Sequence, residues 1–289
     1  MKMPTNAVTW NPPGAPAQVL ALAGKELRDA LRNRWFLLYA GLFAVLTATL
    51  SHVSMAGTGL AGMAGFGRTA AGLVNVILLI VPLMALTVGA GLVTGERDRG
   101  TLEYLLAHPI TRGELLVGKY LGAAVALVLA LSIGFGVSML VVARGGRVRG
   151  IGSFVSLVLC TDLLALGMLS VGLLISVVCR RGSVAVGVAI LVWFALVFLT
   201  DLGLMGGTLM FHLQVQDMFR ISLLNPMQVF KMSVLGSLHA SLDVLGPAGL
   251  YATRTYGQYL ATIFAAAGAA WVLAPLAAAY LLFAKRGDA

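Results

Sequence analysis

The run Ala70-Ala-Gly-Leu-Val-Asn-Val-Ile-Leu-Leu-Ile-Val-Pro-Leu-Met-Ala-Leu-Thr-Val-Gly-Ala-Gly-Leu-Val-Thr94 extends for 25 residues without a charge. Gly95-Glu-Arg-Asp-Arg-Gly100 follows at once, with four charges in six positions. An uncharged apolar stretch of about 20 residues is long enough to cross a bilayer as a helix, and the abrupt return of charge marks the water beyond it. Five further runs read the same way: about Trp35–Met55, Leu115–Val142, Gly152–Val178, Ser183–Leu204 and Tyr259–Phe283. A membrane β-barrel would instead alternate over segments of about 10 residues, and these runs do not. The fold class expected is therefore an all-α integral membrane protein with six transmembrane helices. The whole composition agrees: of 289 residues 59% are hydrophobic and 11% charged, and mean hydropathy is +0.94. Soluble domains carry about 25% charged residues, so a freely soluble enzyme and a disordered chain are both excluded. The 35 glycines follow no Gly-X-Y period and point to close helix packing rather than collagen.

Orientation follows from the 20 Lys and Arg, which exceed the acids by nine. Thirteen lie on one side of the predicted spans, in the segments Lys2–Arg34, Arg97–Lys119, Arg180–Arg181 and Lys285–Arg286. The positive-inside rule makes that side cytoplasmic and places both termini there. The cluster Arg144, Arg147 and Arg149 falls on the other side and reads as an anchor at the membrane surface. Domain organisation is then a cytoplasmic N-terminus at 1–34, a six-span membrane body at 35–283 and a cytoplasmic tail at 284–289. The first span starts after some 34 mostly polar residues without a small-residue cleavage site, which reads as a retained helix and not a signal peptide. Cys160 and Cys179 sit 19 residues apart on one predicted helix, roughly 28 Å, too far for a mutual disulfide.

Two cytoplasmic segments carry the functional signal. In Val19–Arg34, Leu20, Ala23, Leu27, Ala30 and Leu31 recur at helical spacing, with Lys25, Glu26, Arg28, Asp29 and Arg32 between them. This is an amphipathic helix suited to the inner leaflet, or a plain solvated lead-in. In the loop 95–119, Thr101 is placed to cap a short helix, with Glu103 in its first turn where the dipole favours an anion. Leu102, Leu105 and Leu106 form its apolar stripe, and His108-Pro109 ends it. Thr111-Arg-Gly-Glu114 then makes a capping box that starts the third span. The physics alone leaves a docking element for a cytoplasmic partner and an ordinary re-entry loop both open.

The pattern Gly95-Glu-x-x-x-Gly-Thr-Leu-Glu-x-Leu-Leu-x-x-Pro-x-x-Arg-x-Glu-Leu-Leu-x-Gly-Lys119 resembles the first intracellular loop of type-II exporter ABC permeases. The helix around Lys25-Glu26-Leu27 is similar to their N-terminal connecting helix. Within that class, Lys25-Glu-Leu-x-Asp-x-Leu-Arg-Asn-Arg-Trp35 and Leu223-Leu-Asn-Pro-x-x-Val-Phe-Lys231 look most like the permeases that serve the maturation of nitrous oxide reductase. The resemblance implies a permease dimer with two ATPase subunits docked on the loop through Glu96, Arg97, Gly100, Thr101, Leu102, Glu103, Leu105, Leu106, Pro109, Arg112 and Glu114. It implies a connecting helix carrying Lys25, Glu26, Arg28, Asp29 and Arg32. It also implies a periplasmic partner over the loop 205–258, at Met210, His212, Asp217, Met218, Asn225, Pro226 and Phe230. ATP and Mg would be bound by the partner ATPase and no cofactor by this chain. Copper or a sulfur species would be cargo, unless the work is mechanical.

Other motifs lose their force in context. Gly113-Glu-Leu-Leu-Val-Gly-Lys-Tyr120 fails a Walker A pattern at its last position, where Tyr120 replaces the Mg-holding Ser/Thr, and it sits in a predicted helix. Gly57-Thr-Gly-Leu-Ala-Gly62 spells a dinucleotide fingerprint without a βαβ unit around it. Gly91-x-x-x-Gly95 and Gly118-x-x-x-Gly122 read as faces for close helix approach. Asp162, near mid-membrane, and Asp201, near an outer end, are candidate gate or cation-path residues, against a packing role. Met205, Met210, His212, Met218, Met227, Met232 and His239 on the long outer loop have soft donors suited to copper. Their spacing is not that of a metal site, and Met also fills gaps in apolar surfaces. No metal site is assigned, no catalytic constellation is visible, and nucleic acid is not an expected partner. The rival readings are a generic exporter permease for drugs or lipids, a secondary transporter driven through Asp162, and an intramembrane enzyme.

Overall fold

The computed structural model describes residues 15–56, 64–101, 111–144, 151–199, 215–237 and 255–285. Among them there is no strand. The helices are α1 (Ala15–Arg32), α2 (Arg34–Ala56), α3 (Ala64–Asp98), α4 (Arg112–Arg144), α5 (Ile151–Val178), α6 (Gly182–Phe194, continued by a π-turn Ala195–Leu199), α7 (Val215–Leu223), α8 (Pro226–Ser237) and α9 (Leu260–Lys285). Within the described residues, α2, α3, α4, α5 and α9 are long and apolar enough to cross a membrane, whereas the apolar helix Gly182–Phe198 is shorter. The predicted span over Ser183–Leu204 thus appears as a helix that loosens into a π-turn, and residues 200–204 lie outside the described residues.

Each break in the chain has a local cause. Asn33 separates α1 from α2, its Oδ1 accepting from Trp35 N at 3.0 Å, as an N-cap should. Gly100, at φ +68°, ends α3 in the left-handed conformation that favours glycine, and its N–H donates to Arg97 O at 3.1 Å. The capping box opens α4 as expected: Thr111 N donates to Glu114 Oε2 at 2.8 Å and Glu114 N to Thr111 Oγ1 at 3.2 Å. Between α7 and α8, Asn225 Oδ1 accepts from Met227 N at 2.8 Å and Pro226 takes the first helical position, where its missing N–H costs nothing.

The centre of the bundle is the crossing of α3 and α5. A Cβ on Gly89 would lie 2.6 Å from Leu169 O, and one on Gly172 2.6 Å from Leu86 O, so only glycine permits this approach. One turn further along, Ser176 Oγ accepts from Val93 N and Thr94 N at 2.9 and 3.0 Å. Around this pair, α2 lies against α4, with Ser51 and Ser138 hydroxyls 2.6 Å apart and Phe43 edge-on to Phe135 at 5.2 Å. Helix α9 lies against α5, where Leu163 fills the space a Cβ on Gly268 would need. The outward faces of α2 and α4 stay apolar and exposed, as at Val45, Leu129 and Ile133, which suits lipid rather than water.

Two expectations are corrected. Among the described residues a Cβ on Gly91 or Gly95 would meet nothing within 4 Å, so that pair is not a contact face between the described helices. The α7–α8 pair has the expected break at Asn225-Pro226, but α8 is not laid on the surface: Pro226 to Phe230, Met232 and Val234 are buried. It is held there by a second small core of Met218, Phe219, Val229, Met232, Leu260 and Phe264. Asn225 Nδ2 also donates to Leu196 O at 2.7 Å, a carbonyl in the π-turn. The α3–α5 crossing is testable by substitution. Gly89→Ala or Gly172→Ala should cost about 1–3 kcal/mol through overpacking. Gly91→Ala should be neutral or gain up to about 1 kcal/mol from helix propensity. Thermal unfolding of the three variants in detergent checks the order.

Candidate functional site

The elements that flank the loop 95–119 meet α1 at a buried ion cluster. Lys119, in the first turns of α4, is 2% exposed at its side chain. Its Nζ pairs with Glu26 Oε1 of α1 and lies 2.8 Å from Glu96 Oε1 at the end of α3. Lys25 Nζ reaches the same Glu96 oxygen at 2.9 Å and Asp29 Oδ2 at 3.9 Å. Glu96 Oε2 is buried without a hydrogen-bond partner among the described residues. Two ammonium groups and the carboxylates of Glu26 and Glu96 neutralise one another where neither sign is stable alone, and removal of one partner from such a pair costs about 3–5 kcal/mol. Burial pulls the Lys25 pKa down, but the carboxylates of Glu96, Glu26 and Asp29 outweigh it and leave the group above its ordinary 10.5. Its share of stability is thus present throughout the neutral range and is lost only as pH rises through that raised value.

Glycines set the distance. A Cβ on Gly122 would fall 2.4 Å from Ala23 O, and one on Gly118 2.8 Å from Leu22 Cβ. The Gly118-x-x-x-Gly122 face is therefore a seat for α1, and close approach is what brings Glu26 over Lys119. This corrects the expected posture of α1. It buries Leu22 against α4 and half-buries Glu26 and Ala30, while Leu20 is 71% and Leu31 45% exposed. The predicted apolar stripe is thus split between protein and surroundings. Arg28 and Arg32 are exposed, as is Asp29.

The end of α3 also grips the turn between α5 and α6. Arg97 donates from a guanidinium nitrogen to Cys179 O at 2.5 Å. Asp98 Oδ2 accepts from Gly182 N at 2.9 Å, capping α6 from another helix. A Cβ on Gly182 would lie 2.5 Å from that oxygen. Thr101 Oγ1 donates to Glu96 O at 3.3 Å and so ties the last described residue before the loop back to α3.

The residues expected to dock a partner therefore divide. Glu96, Arg97, Gly100 and Glu114 make contacts inside this chain, Arg112 is half-buried at the start of α4, and Leu102, Glu103, Leu105, Leu106 and Pro109 lie outside the described residues. Lys119 and Asp98 were not singled out in the sequence, although a lysine inside an apolar run signals a buried counterion. The Walker-like stretch is helical in α4, its lysine is used in the ion cluster, and the Tyr120 hydroxyl bonds Leu166 O at 3.2 Å. The Gly57–Gly62 fingerprint lies outside the described residues.

Asp162 is half-buried in α5, with Oδ1 buried and without a hydrogen-bond partner among the described residues. Asp201, Met210 and His212 lie outside those residues. Of the other outer-loop candidates, Asp217 pairs with Arg220 at 3.4 Å, while Met218, Asn225, Pro226 and Phe230 are buried and serve the α8 packing instead of an open surface. No group of three His, Cys, Asp or Glu able to hold a metal occurs among the described residues. The arrangement as a whole is mechanical: it fixes both ends of one loop to the same helices.

Comparison with known proteins agrees with this geometry. The family model described as ABC-2 family transporter protein matches residues 20–287. The chain is 31% identical over 277 residues to a probable ABC transporter permease protein NosY of Stutzerimonas stutzeri, covering 93% of this chain and 99% of that one. It is 32% identical over 274 residues to the protein of the same description in Pseudomonas aeruginosa, covering 93% and 98%. With both ends of the loop 95–119 built into a bundle of bilayer-length helices, the chain belongs to the ABC-2 transporter family, as a multi-pass membrane permease similar to NosY.

Proposed function

We propose that this chain is the membrane subunit through which a separate ATPase dimer drives work on the far side of a bacterial inner membrane. Two copies of the chain, each with six spans and cytoplasmic termini, would carry one ATPase each on the loop 95–119. The observation that carries the reading is the buried ion cluster: Glu96 and Lys119 bracket the loop, and Glu26 of α1 closes over them. A push on the loop is then borne by α1, α3 and α4 together. Arg97 and Asp98 pass it to the α5–α6 turn, and the tight α3–α5 crossing passes it along the bundle. Packed interfaces of this kind move as bodies and do not deform continuously.

The similarity to NosY supports a more specific role, maturation of the copper sites of nitrous oxide reductase with a NosD-like periplasmic partner. Copper or a sulfur species would be the cargo, or the stroke would act mechanically on that partner. The chain itself performs no chemistry in this reading, and ATP with Mg stays on the ATPase. A generic exporter permease for drugs or lipids would share the same coupling device. The one observation favouring an ion-coupled secondary transporter is the buried Oδ1 of Asp162, without a hydrogen-bond partner among the described residues. That rival predicts transport by this chain alone, abolished by Asp162→Asn and indifferent to ATP.

Three outcomes test the proposal. Gentle solubilisation should retain an ATPase together with a periplasmic protein; an ATPase alone supports the generic exporter, and no ATPase overturns the reading. Glu103→Lys should lower ATP turnover of the assembled complex about tenfold, equivalent to 1.4 kcal/mol, while the permease remains in the membrane at its normal level. Lys119→Met should lose about 3–5 kcal/mol of stability by stranding Glu26 and leaving Glu96 with Lys25 alone. Lys25→Met, at a half-exposed site, should lose no more than about 1 kcal/mol. Thermal unfolding of the two lysine variants side by side measures that difference.

A further inference from the structure

A cavity of about 680 Å³ lies between α5, α8 and α9, and neither the ion cluster nor the coupling path uses it. We infer that it holds one acyl chain of a phospholipid from the leaflet on the α8 side of the bilayer. Its volume falls in the range of sites for small organic ligands, roughly 300–1,000 Å³. Along α5 its wall runs from Ser156 to Gly167, roughly 16 Å of helix. That is about half of a ~30 Å hydrocarbon core, the depth of one leaflet. Leu159, part of that wall, is 62% exposed, so the cavity is continuous with the apolar surface that α5 turns to lipid.

The chemistry of the wall selects among occupants. Among the described lining residues none is charged, and Cys160 is the one soft donor, with no imidazole, thioether or carboxylate beside it. A metal ion would find no ligand set among them. The hydroxyls of Ser233 and Ser237 donate to Val229 O at 2.7 Å and Ser233 O at 2.9 Å, so their protons are already used within α8. A ligand that needs no hydrogen bonds fits, between the rings of Phe230, Phe264 and Trp271. A helix of a second copy does not fit: about 10 Å wide over the same 16 Å, it would occupy roughly twice the volume. An acyl chain would complete the packing that holds α8 between α5 and α9.

The test uses the full chain, purified in mild detergent, with cavity-filling variants chosen from residues that have room. A Cβ on Gly236 meets nothing within 4 Å, and Ala265 lines the opposite wall on α9, so Gly236→Leu and Ala265→Phe project into the space. Native mass spectrometry during titration with palmitoyl-oleoyl phosphatidylethanolamine should show one tightly retained lipid per chain in the wild type. Each variant should retain about tenfold less. A second readout needs no filled cavity. In a Cys179→Ala background, alkylation of Cys160 by a maleimide should slow about fivefold when the lipid is added back, by occupancy of its only lining thiol. The inference is overturned if the wild type retains no lipid and Cys160 alkylation is unchanged by it, or if both filled variants retain lipid as the wild type does. Loss of permease self-association in the variants with lipid retention unchanged would assign the cavity to protein and overturn it equally.

Discussion

An ammonium group cannot stay buried at 2% exposure without carboxylates around it, and Lys119 obtains them from two different elements. That single constraint organises the face of the bundle where the loop 95–119 emerges. Glu96 must come from the end of α3 and Glu26 from α1, so three elements distant in sequence are fixed to one another. Gly118 and Gly122 follow from the same requirement, since any side chain there would lift α1 away from the lysine. Lys25 then shares Glu96 and brings the cluster of two lysines, Glu26 and Glu96 to neutrality. The loop between Glu96 and Lys119 is thereby anchored at both ends to the same block.

The rest of the architecture extends this block through bonds to main-chain atoms. Arg97 and Asp98 hold the α5–α6 turn through backbone groups, and Ser176 accepts from the backbone of α3. These bonds use main-chain atoms as partners, so they depend on helix position more than on the identity of the opposing side chain. On the other face the contacts change character. There α8 is wedged among spans by a small aromatic and methionine core, a π-turn interrupts α6, and a cavity remains. The face around the loop 95–119 is hydrogen-bonded and charged, the opposite face apolar and partly hollow.

Much of this was legible in the sequence, for identifiable reasons. Five of the six apolar runs are bilayer-length helices because length and missing charge are sufficient signals in lipid. The capping box at Thr111–Glu114 was legible because both partners lie within one turn. Pairings across long separations left no such trace: Lys119 and Glu26 are 93 positions apart, and each looked like a surface charge on its own. Periodicity showed that α1 has an apolar face but not what covers it, because lipid and protein are equally apolar to a helix. Hence Leu20 and Leu31 were grouped with residues that pack on α4, although both are exposed. The methionines and Asn225-Pro226 of the outer loop misled in the same way, since residue types suited to a partner surface also fill a core. Glu103, Leu105 and Leu106 of the loop, with Asp201, Met210 and His212, fall outside the described residues.

The account turns on α1, α3 and α4 moving as one body when force enters the loop. Spin labels at Arg28 of α1 and Leu121 of α4, both exposed, report that directly in the permease–ATPase complex by pulsed dipolar spectroscopy. The distance between them should be the same in the nucleotide-free and ATP-trapped states, while the distance between the two copies' Leu121 labels changes. A shift of the Arg28–Leu121 distance on ATP binding, with the inter-copy distance unchanged, would contradict the account.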